Sequence, residues 1–254
     1  MNPILVMAWA YSFLIGICLA SFINVVIDRL PRHDTFVRGR SHCDNCGIQL
    51  KAYDLIPLVS YLVLKGKCRN CGNEIGARSF WIELLGGILA IVCFNAFGFT
   101  WMSLLAIAVY NVLLAITFID FDTLEIPNGL NIAMLVLGII GALINPDITL
   151  INRLIGMVAV SIPLLVMALA IPGSFGGGDV KLMVGAGLLL GWQNCLLATF
   201  IGIITAGIYG IILLLSHKNE LKDHIAFGPY LSLGIFIALI WGNQIISWYL
   251  ALFI

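Results

Sequence analysis

The chain has 254 residues, 61% of them hydrophobic and only 10% charged, with a mean hydropathy of +1.06 and a formal net charge of zero. Soluble domains carry roughly 25% charged residues, so this composition excludes a water-soluble globular fold and implies that lipid replaces water around most of the surface. Nothing in the charge balance suggests a nucleic-acid partner, and none is expected.

The first element is an apolar run, residues 1–27, with no basic residue before it and Arg29, Arg32, Arg38 and Arg40 after it. A cleavable signal peptide would show a basic start and a shorter apolar stretch of ~7 to 15 residues. The run is therefore expected to be a retained transmembrane helix with its N-terminus outside, because Lys and Arg of short loops stay in the cytoplasm.

Residues 28–79 are different in kind. They hold nine Lys or Arg, five Asp or Glu, four of the seven cysteines and two of the four histidines. The local balance of +4 after an N-out helix makes this a cytoplasmic loop domain. Within it, Cys43-Asp44-Asn45-Cys46 and Cys68-Arg69-Asn70-Cys71 are two CxxC pairs 21 residues apart, followed by Gly47 and Gly72. Two such knuckles can close a tetrahedral four-thiolate zinc site, with glycine relieving the turn. Disulfides or a redox CxxC would be the rival, but a cytoplasmic loop is kept reduced and no βαβ pattern surrounds it. Four thiolates leave no open position for a water, so the zinc is expected to be structural and to staple a segment too short to fold alone. His33 and His42 are either extra ligands or solvated loop histidines, and Cys18, Cys93 and Cys195 sit in apolar runs as small hydrophobes.

Residues 80–254 are expected to form a seven-helix membrane domain, with helices near 80–97, 101–119, 129–145, 153–171, 180–192, 195–215 and 228–252. The short 180–192 helix is expected to begin inside a protein-lined cavity. With residues 1–27 the total is about eight spans, an all-α polytopic membrane protein. Threading these from an outside N-terminus puts the loops 120–128, 172–179 and 216–227 in the cytoplasm with 28–79. Lys181, Lys218 and Lys222 then lie near the inner face, and only Arg153 of the thirteen basic residues near the outer one. No internal repeat is evident.

An ionisable group at a membrane helix end points to function unless a plain structural role covers it. Asp120 ends an apolar run and is followed by Ile126-Pro127-Asn128, where proline forces a turn. Asp179 closes Gly176-Gly177-Gly178-Asp179, whose glycines permit close approach to a neighbouring helix. The helix dipole favours a carboxylate at Asp179 and opposes one at Asp120, which assigns a catalytic base to Asp179 and an acid to Asp120. The plainer alternative is an N-cap at Asp179 and a loop carboxylate at Asp120. Asp122 and Glu125 read as solvated loop charges, and Glu83 as a carboxylate favoured by the start of its helix.

Taken together these motifs resemble the bacterial type IV prepilin peptidases, a leader peptidase and N-methyltransferase family of GxGD membrane aspartic proteases. The resemblance runs through Ser21 to Ile27 with Arg29-Leu30-Pro31, the CxxC knuckles, Ile56 to Tyr61 with Lys65-Gly66-Lys67-Cys68, Glu83-Leu84, Phe118-Ile119-Asp120, the glycines ending in Asp179, and Phe227-Gly228-Pro229-Tyr230. It implies catalytic aspartates at Asp120 and Asp179 and metal ligands at Cys43, Cys46, Cys68 and Cys71. It also implies prepilin or pseudopilin substrates, cut on the cytoplasmic side of the plasma membrane for pilus or secretion systems, and methylation with S-adenosylmethionine. No glycine-rich strand-turn-helix marks where that cofactor would sit. A proton- or cation-coupled transporter and a non-enzymatic assembly factor gripping a partner through the cysteine loop are the rival readings; the first would need ion-dependent flux, the second would tolerate loss of both aspartates.

Overall fold

A computed structural model of the chain describes residues 3–32, 34–35, 41–43, 45–171, 175–215 and 225–253. His33, Arg38, Arg40, Lys218 and Lys222, and parts of the loops 172–179 and 216–227, lie outside the described residues. The chain divides into two compact units, Met1–Phe99 and Thr100–Ile254.

In the first unit, α1 (Pro3–Arg29) leads through a 3-10 turn (Ala52–Leu55) and the short α2 (Val59–Val63) into α3 (Arg78–Phe97). Lipid tails are as apolar as leucine, so two such helices associate by close backbone packing at small residues. Gly16 and Ala20 of α1 meet Gly86, Gly87 and Ala90 of α3, and a Cβ on Gly16 would lie 2.5 Å from the Gly86 carbonyl oxygen. Substituting Leu for Gly86 is expected to force α1 and α3 apart and to lower the thermal midpoint of the detergent-solubilised protein by several degrees, measured by a thiol-independent melting assay. Gly76→Ala, where a Cβ meets open space, should leave it unchanged.

The second unit contains α4 (Trp101–Thr123), α5 (Asn128–Ile144), α6 (Leu150–Ala159), α7 (Ser161–Ala170), α8 (Gly177–Leu215) and α9 (Gly228–Leu250). Thr100 caps α4 by accepting from the Ser103 N–H, and Thr149 caps α6 by accepting from Asn152. Among the described residues there is no strand, only two isolated β-bridges.

Six helical segments among the described residues are long and apolar enough to cross a membrane, counting α6 with α7 as one; α5, at 17 residues, is shorter. This differs from the eight expected, for two physical reasons. The segment expected near 129–145 forms the 17-residue α5, at the lower end of the ~17 to 25 residues of a bilayer span, and the two segments expected at 180–192 and 195–215 run on as a single 39-residue element. A straight helix of that length would measure roughly 58 Å, nearly twice the ~30 Å hydrocarbon layer. Gly191 interrupts it with φ 74° and ψ 171°.

Neighbours on either side of Gly191 give the direction of each half. Before it, Gly185 lies on Met134 and Leu135 of α5, and Gly187 on Gly156 of α6. After it, Asn194 lies on Gly242 of α9, Ala198 on Gly234, and Gly202 on Leu231. Positions advancing along the second half thus meet earlier positions in α9, so the two run antiparallel. The Tyr209 and Tyr230 rings, 5.7 Å apart, continue this pairing toward the start of α9.

A break at Gly191 leaves the last carbonyls of the first half of α8 without helical partners. Arg153 supplies them. It is 1% exposed. Its Nη1 donates to the carbonyls of Leu188 (2.8 Å) and Leu189 (3.0 Å), its Nη2 to Asn145 (2.7 Å) and Gly141 (3.3 Å), and its Nε to Ile148 (3.2 Å). One guanidinium thereby caps the C-terminal ends of α5 and the first half of α8, where helix dipoles favour a cation. Arg153→Met keeps the stem but orphans these carbonyls, and should destabilise the second unit by about 3 kcal/mol or more, seen as early unfolding in a detergent thermal scan.

Candidate active site and metal centre

The cysteine loop builds its centre from two knuckles of the same design. Gly47 N–H donates to Cys43 O (2.8 Å) and Cys43 N–H to Ile48 O (3.0 Å); Gly72 N–H donates to Cys68 O (2.9 Å) and Cys68 N–H to Asn73 O (2.8 Å). Each glycine is left-handed, φ 68° and 70°, the geometry the turn needs. His42 bridges Gln49 as Lys67 bridges Glu74. Asn45 reaches across to the Cys71 sulfur and Asn70 to the Cys46 sulfur, both at 3.7 Å. Every contact recurs 25 residues later, so a local repeat exists where none was evident, and its trace in the sequence is the shared Cys-x-Asn-Cys-Gly.

The Sγ atoms of Cys43, Cys46, Cys68 and Cys71 lie within 4.8 Å of one another, and Cys43 and Cys71 are 3.9 Å apart. Sulfurs ~2.3 Å from a tetrahedral ion would be ~3.8 Å apart, so the donor set fits a metal. The Asn73 backbone N–H, then the Asn45 amide, draw the Cys71 thiol down to about 6, while Cys43 in the same cluster is pushed up to about 11. His42 is not part of this cluster among the described residues.

The second unit brings its chemistry to the end of the bundle where α4, α8 and α9 meet. Asp120 lies in the last turn of α4, which Leu124 closes in the left-handed region, φ 57°, donating to the Asp120 carbonyl. The side chain is 4% exposed, and its Oδ2 accepts from the Gly228 N–H at 2.9 Å. Only glycine lets α9 come this close, since a Cβ at 228 would lie 2.8 Å from that oxygen. Sequence reasoning gave Gly228 no role; the Gly-Pro pair opening a helix was the available signal.

Asp179 sits in the first turn of α8 and is 7% exposed. It is not the N-cap. Its Oδ2 accepts from the Gly176 N–H at 3.0 Å, the N3 half of a capping box, while its own N–H donates to the Gly176 carbonyl in a backbone turn, since glycine has no side chain to complete the box. Each carboxyl therefore has one oxygen fixed by a backbone N–H and a second oxygen to offer.

Ile126 wedges the two ends together. A Cβ on Gly178 would meet the Ile126 Cβ at 2.8 Å, and one on Gly228 would meet the Ile126 Cδ1 at 3.2 Å. Around this wedge the Phe175 and Phe227 rings stack edge to face at 5.1 Å, and Lys181 Nζ donates to Asn128 Oδ1 at 2.8 Å. Asp122 and Glu125, by contrast, are exposed. Glu83 differs from its expected role: it is buried, and its Oε2 accepts from the Leu58 N–H at 2.8 Å.

These features define an all-helical membrane protein that carries two buried aspartates in one unit and a tetracysteine cluster able to hold a metal in the other. Residues 14–97 match the Bacterial Peptidase A24 N-terminal domain and residues 107–211 the Type IV leader peptidase family. A prepilin leader peptidase/N-methyltransferase of Aeromonas salmonicida is 33% identical, with 96% of this chain and 95% of that protein covered. Proteins of the same description from Pseudomonas aeruginosa (33%, 94% and 92%) and Bacillus subtilis (30%, 94% and 96%) are similar. No solved structure matches. The chain belongs to the type IV leader peptidase family.

Proposed function

We propose that this protein is a membrane aspartic endopeptidase that removes the leader of type IV prepilins or pseudopilins and then methylates the new N-terminus with S-adenosylmethionine. The observation that carries the peptidase half is the buried pair Asp120 and Asp179, drawn together around Ile126 with one oxygen of each held by a backbone N–H. Hydrolysis needs two carboxyl groups sharing a water: one takes its proton as it attacks, the other protonates the carbonyl oxygen. No acyl-enzyme is required. The dipole argument keeps Asp179 as base and Asp120 as acid. The relatives' names, which join peptidase to N-methyltransferase, support the second activity.

The proposed topology has eight crossings with the N-terminus outside. The break at Gly191, with the second half of α8 antiparallel to α9, supports it by dividing that element into two, and α5 and the α6 with α7 segment supply the others. The charge bias puts residues 28–79 and the aspartate end of the bundle on the cytoplasmic side of the plasma membrane. Residues 1–27 then form the first span, 28–79 a cytoplasmic metal domain, and 80–254 the membrane portion with the aspartates.

Zinc is the proposed ion, since four thiolates in a closed tetrahedral set suit it and leave no position for a catalytic water. Cys43, Cys46, Cys68 and Cys71 would hold it, and its contribution is folding free energy for the loop. A strong chelator should strip one zinc per chain, read by mass spectrometry of the metal, and should open residues 41–76 to protease while the second unit stays resistant.

The test of the whole reading is to incubate the detergent-solubilised protein with a purified prepilin. A leader-sized mass loss, and an added methyl only when S-adenosylmethionine is present, are expected. An unchanged prepilin would reject it.

A further inference from the structure

The first unit contains a cavity of about 330 Å³ that neither the aspartate pair nor the thiolate cluster uses. It lies where the end of α1 (Asn24, Asp28), the start of α3 (Phe80, Glu83) and the intervening segment (Tyr61) converge. Its volume is within the ~300 to 1,000 Å³ of small-molecule sites. Its chemistry is mixed: carboxylates at Asp28 and Glu83, guanidinium groups at Arg29 and Arg32, and a Tyr61 and Phe80 ring pair at 5.2 Å. A wall of this kind suits a molecule with a cationic centre, an anionic end and a flat ring.

Glu83 is the informative member. A carboxylate within a membrane-capable helix is expensive and needs a reason. The bond from Leu58 is a partial one, because it uses one oxygen and holds Leu58 at φ 59°, a conformation that costs a residue with a Cβ roughly 1 to 3 kcal/mol. A structural partner for Glu83 could be had without that strain. Glu83 lines the cavity, and so do Leu55 and Ser60 on either side of Leu58.

We infer that this cavity is the binding site for S-adenosylmethionine. Asp28 and Glu83 supply counter-charge to the sulfonium and ammonium groups, Arg29 and Arg32 suit the carboxylate, and Tyr61 and Phe80 offer ring surface to the adenine. The fit rests on those complementary groups and on the volume. The inference depends on the methyltransferase half of the reading above, and it assigns that half to residues of the first unit, apart from the aspartates.

The test is isothermal titration of S-adenosylhomocysteine into the full-length, zinc-loaded protein in detergent, together with peptide mapping of the adduct formed by ultraviolet crosslinking of radiolabelled S-adenosylmethionine. Glu83→Gln, whose amide oxygen can still accept from Leu58, and Asp28→Asn should each weaken binding roughly tenfold or more, with zinc content and leader cleavage retained. The label should map between Ser21 and Glu83. Wild-type affinity in both variants, or a label in Thr100–Ile254, overturns the site while leaving the methyltransferase reading standing if the wild type still methylates. A wild type that neither binds the probe nor methylates rejects both. Should Glu83→Gln lose zinc and cleavage together, Asp28→Asn and the mapped label decide.

Discussion

Replacing either Asp120 or Asp179 with asparagine should lower the rate of leader cleavage by at least ~10³-fold, because general acid and general base act in one step and neither amide can exchange the proton. The geometry makes this a clean experiment. Asparagine keeps a side-chain oxygen able to accept from Gly228 at position 120 or from Gly176 at position 179, so the local hydrogen bonds survive. Zinc content and the melting profile should stay at wild-type values, and substrate should still bind, so the loss falls on kcat and not on KM. Combining the two substitutions should cost little more than either alone, since residues acting as a unit are not additive.

The second large effect is expected at Gly228, a residue that does no chemistry. A Cβ there would meet Asp120 Oδ2 at 2.8 Å and Cγ at 3.1 Å, with Ile126 Cδ1 at 3.2 Å behind. Alanine must therefore displace the carboxyl or the start of α9. Misplacement of a catalytic group by ~1 Å can cost ~10²-fold, so Gly228→Ala should lose about that much kcat with its zinc intact. Gly129→Ala, on the neighbouring α5 where a Cβ meets open space, should cleave at the wild-type rate. Equal rates for Gly228→Ala and wild type in a steady-state cleavage assay would remove Gly228 from the positioning role.

The membrane character, the helical class and the cysteine cluster were legible because each is written locally: long apolar runs, few charges, two Cys-x-Asn-Cys-Gly turns. Asp120 and Asp179 stood out as carboxylates at the ends of apolar runs. What holds Asp120 did not stand out, because it is made by backbone from elsewhere: the Gly228 N–H comes from 108 residues beyond it. The capping role of Arg153 was hidden for a similar reason. Charge counting treats an arginine as a marker of membrane side, whereas this one spends its donors on five carbonyls inside the bundle. The break within α8 is hidden in sequence since Leu188-Leu189-Leu190-Gly191-Trp192 is apolar throughout, and it shows only in the non-helical backbone of Gly191.

The division of labour between the two units also emerges only from packing. Glu83 reads in sequence as a dipole-favoured residue near a helix start; in the fold it holds Leu58 and walls a cavity together with α1. The cysteine loop and this cavity belong to the first unit, whereas the two aspartates, with Ile126, Gly178 and Gly228 around them, belong to the second. Loss of zinc and loss of an aspartate should accordingly give different defects: the first in folding and protease resistance of the loop, the second in the chemical step alone.

The most direct measurement is a time course of leader release from one purified prepilin, followed by mass spectrometry, for wild type, Asp120→Asn, Asp179→Asn and Asp122→Asn side by side. Asp122 is the control two residues from Asp120, exposed where Asp120 is buried. The account predicts release by wild type and Asp122→Asn and none by the other two. Release at the wild-type rate by Asp120→Asn or Asp179→Asn, or its loss in Asp122→Asn alone, would contradict it.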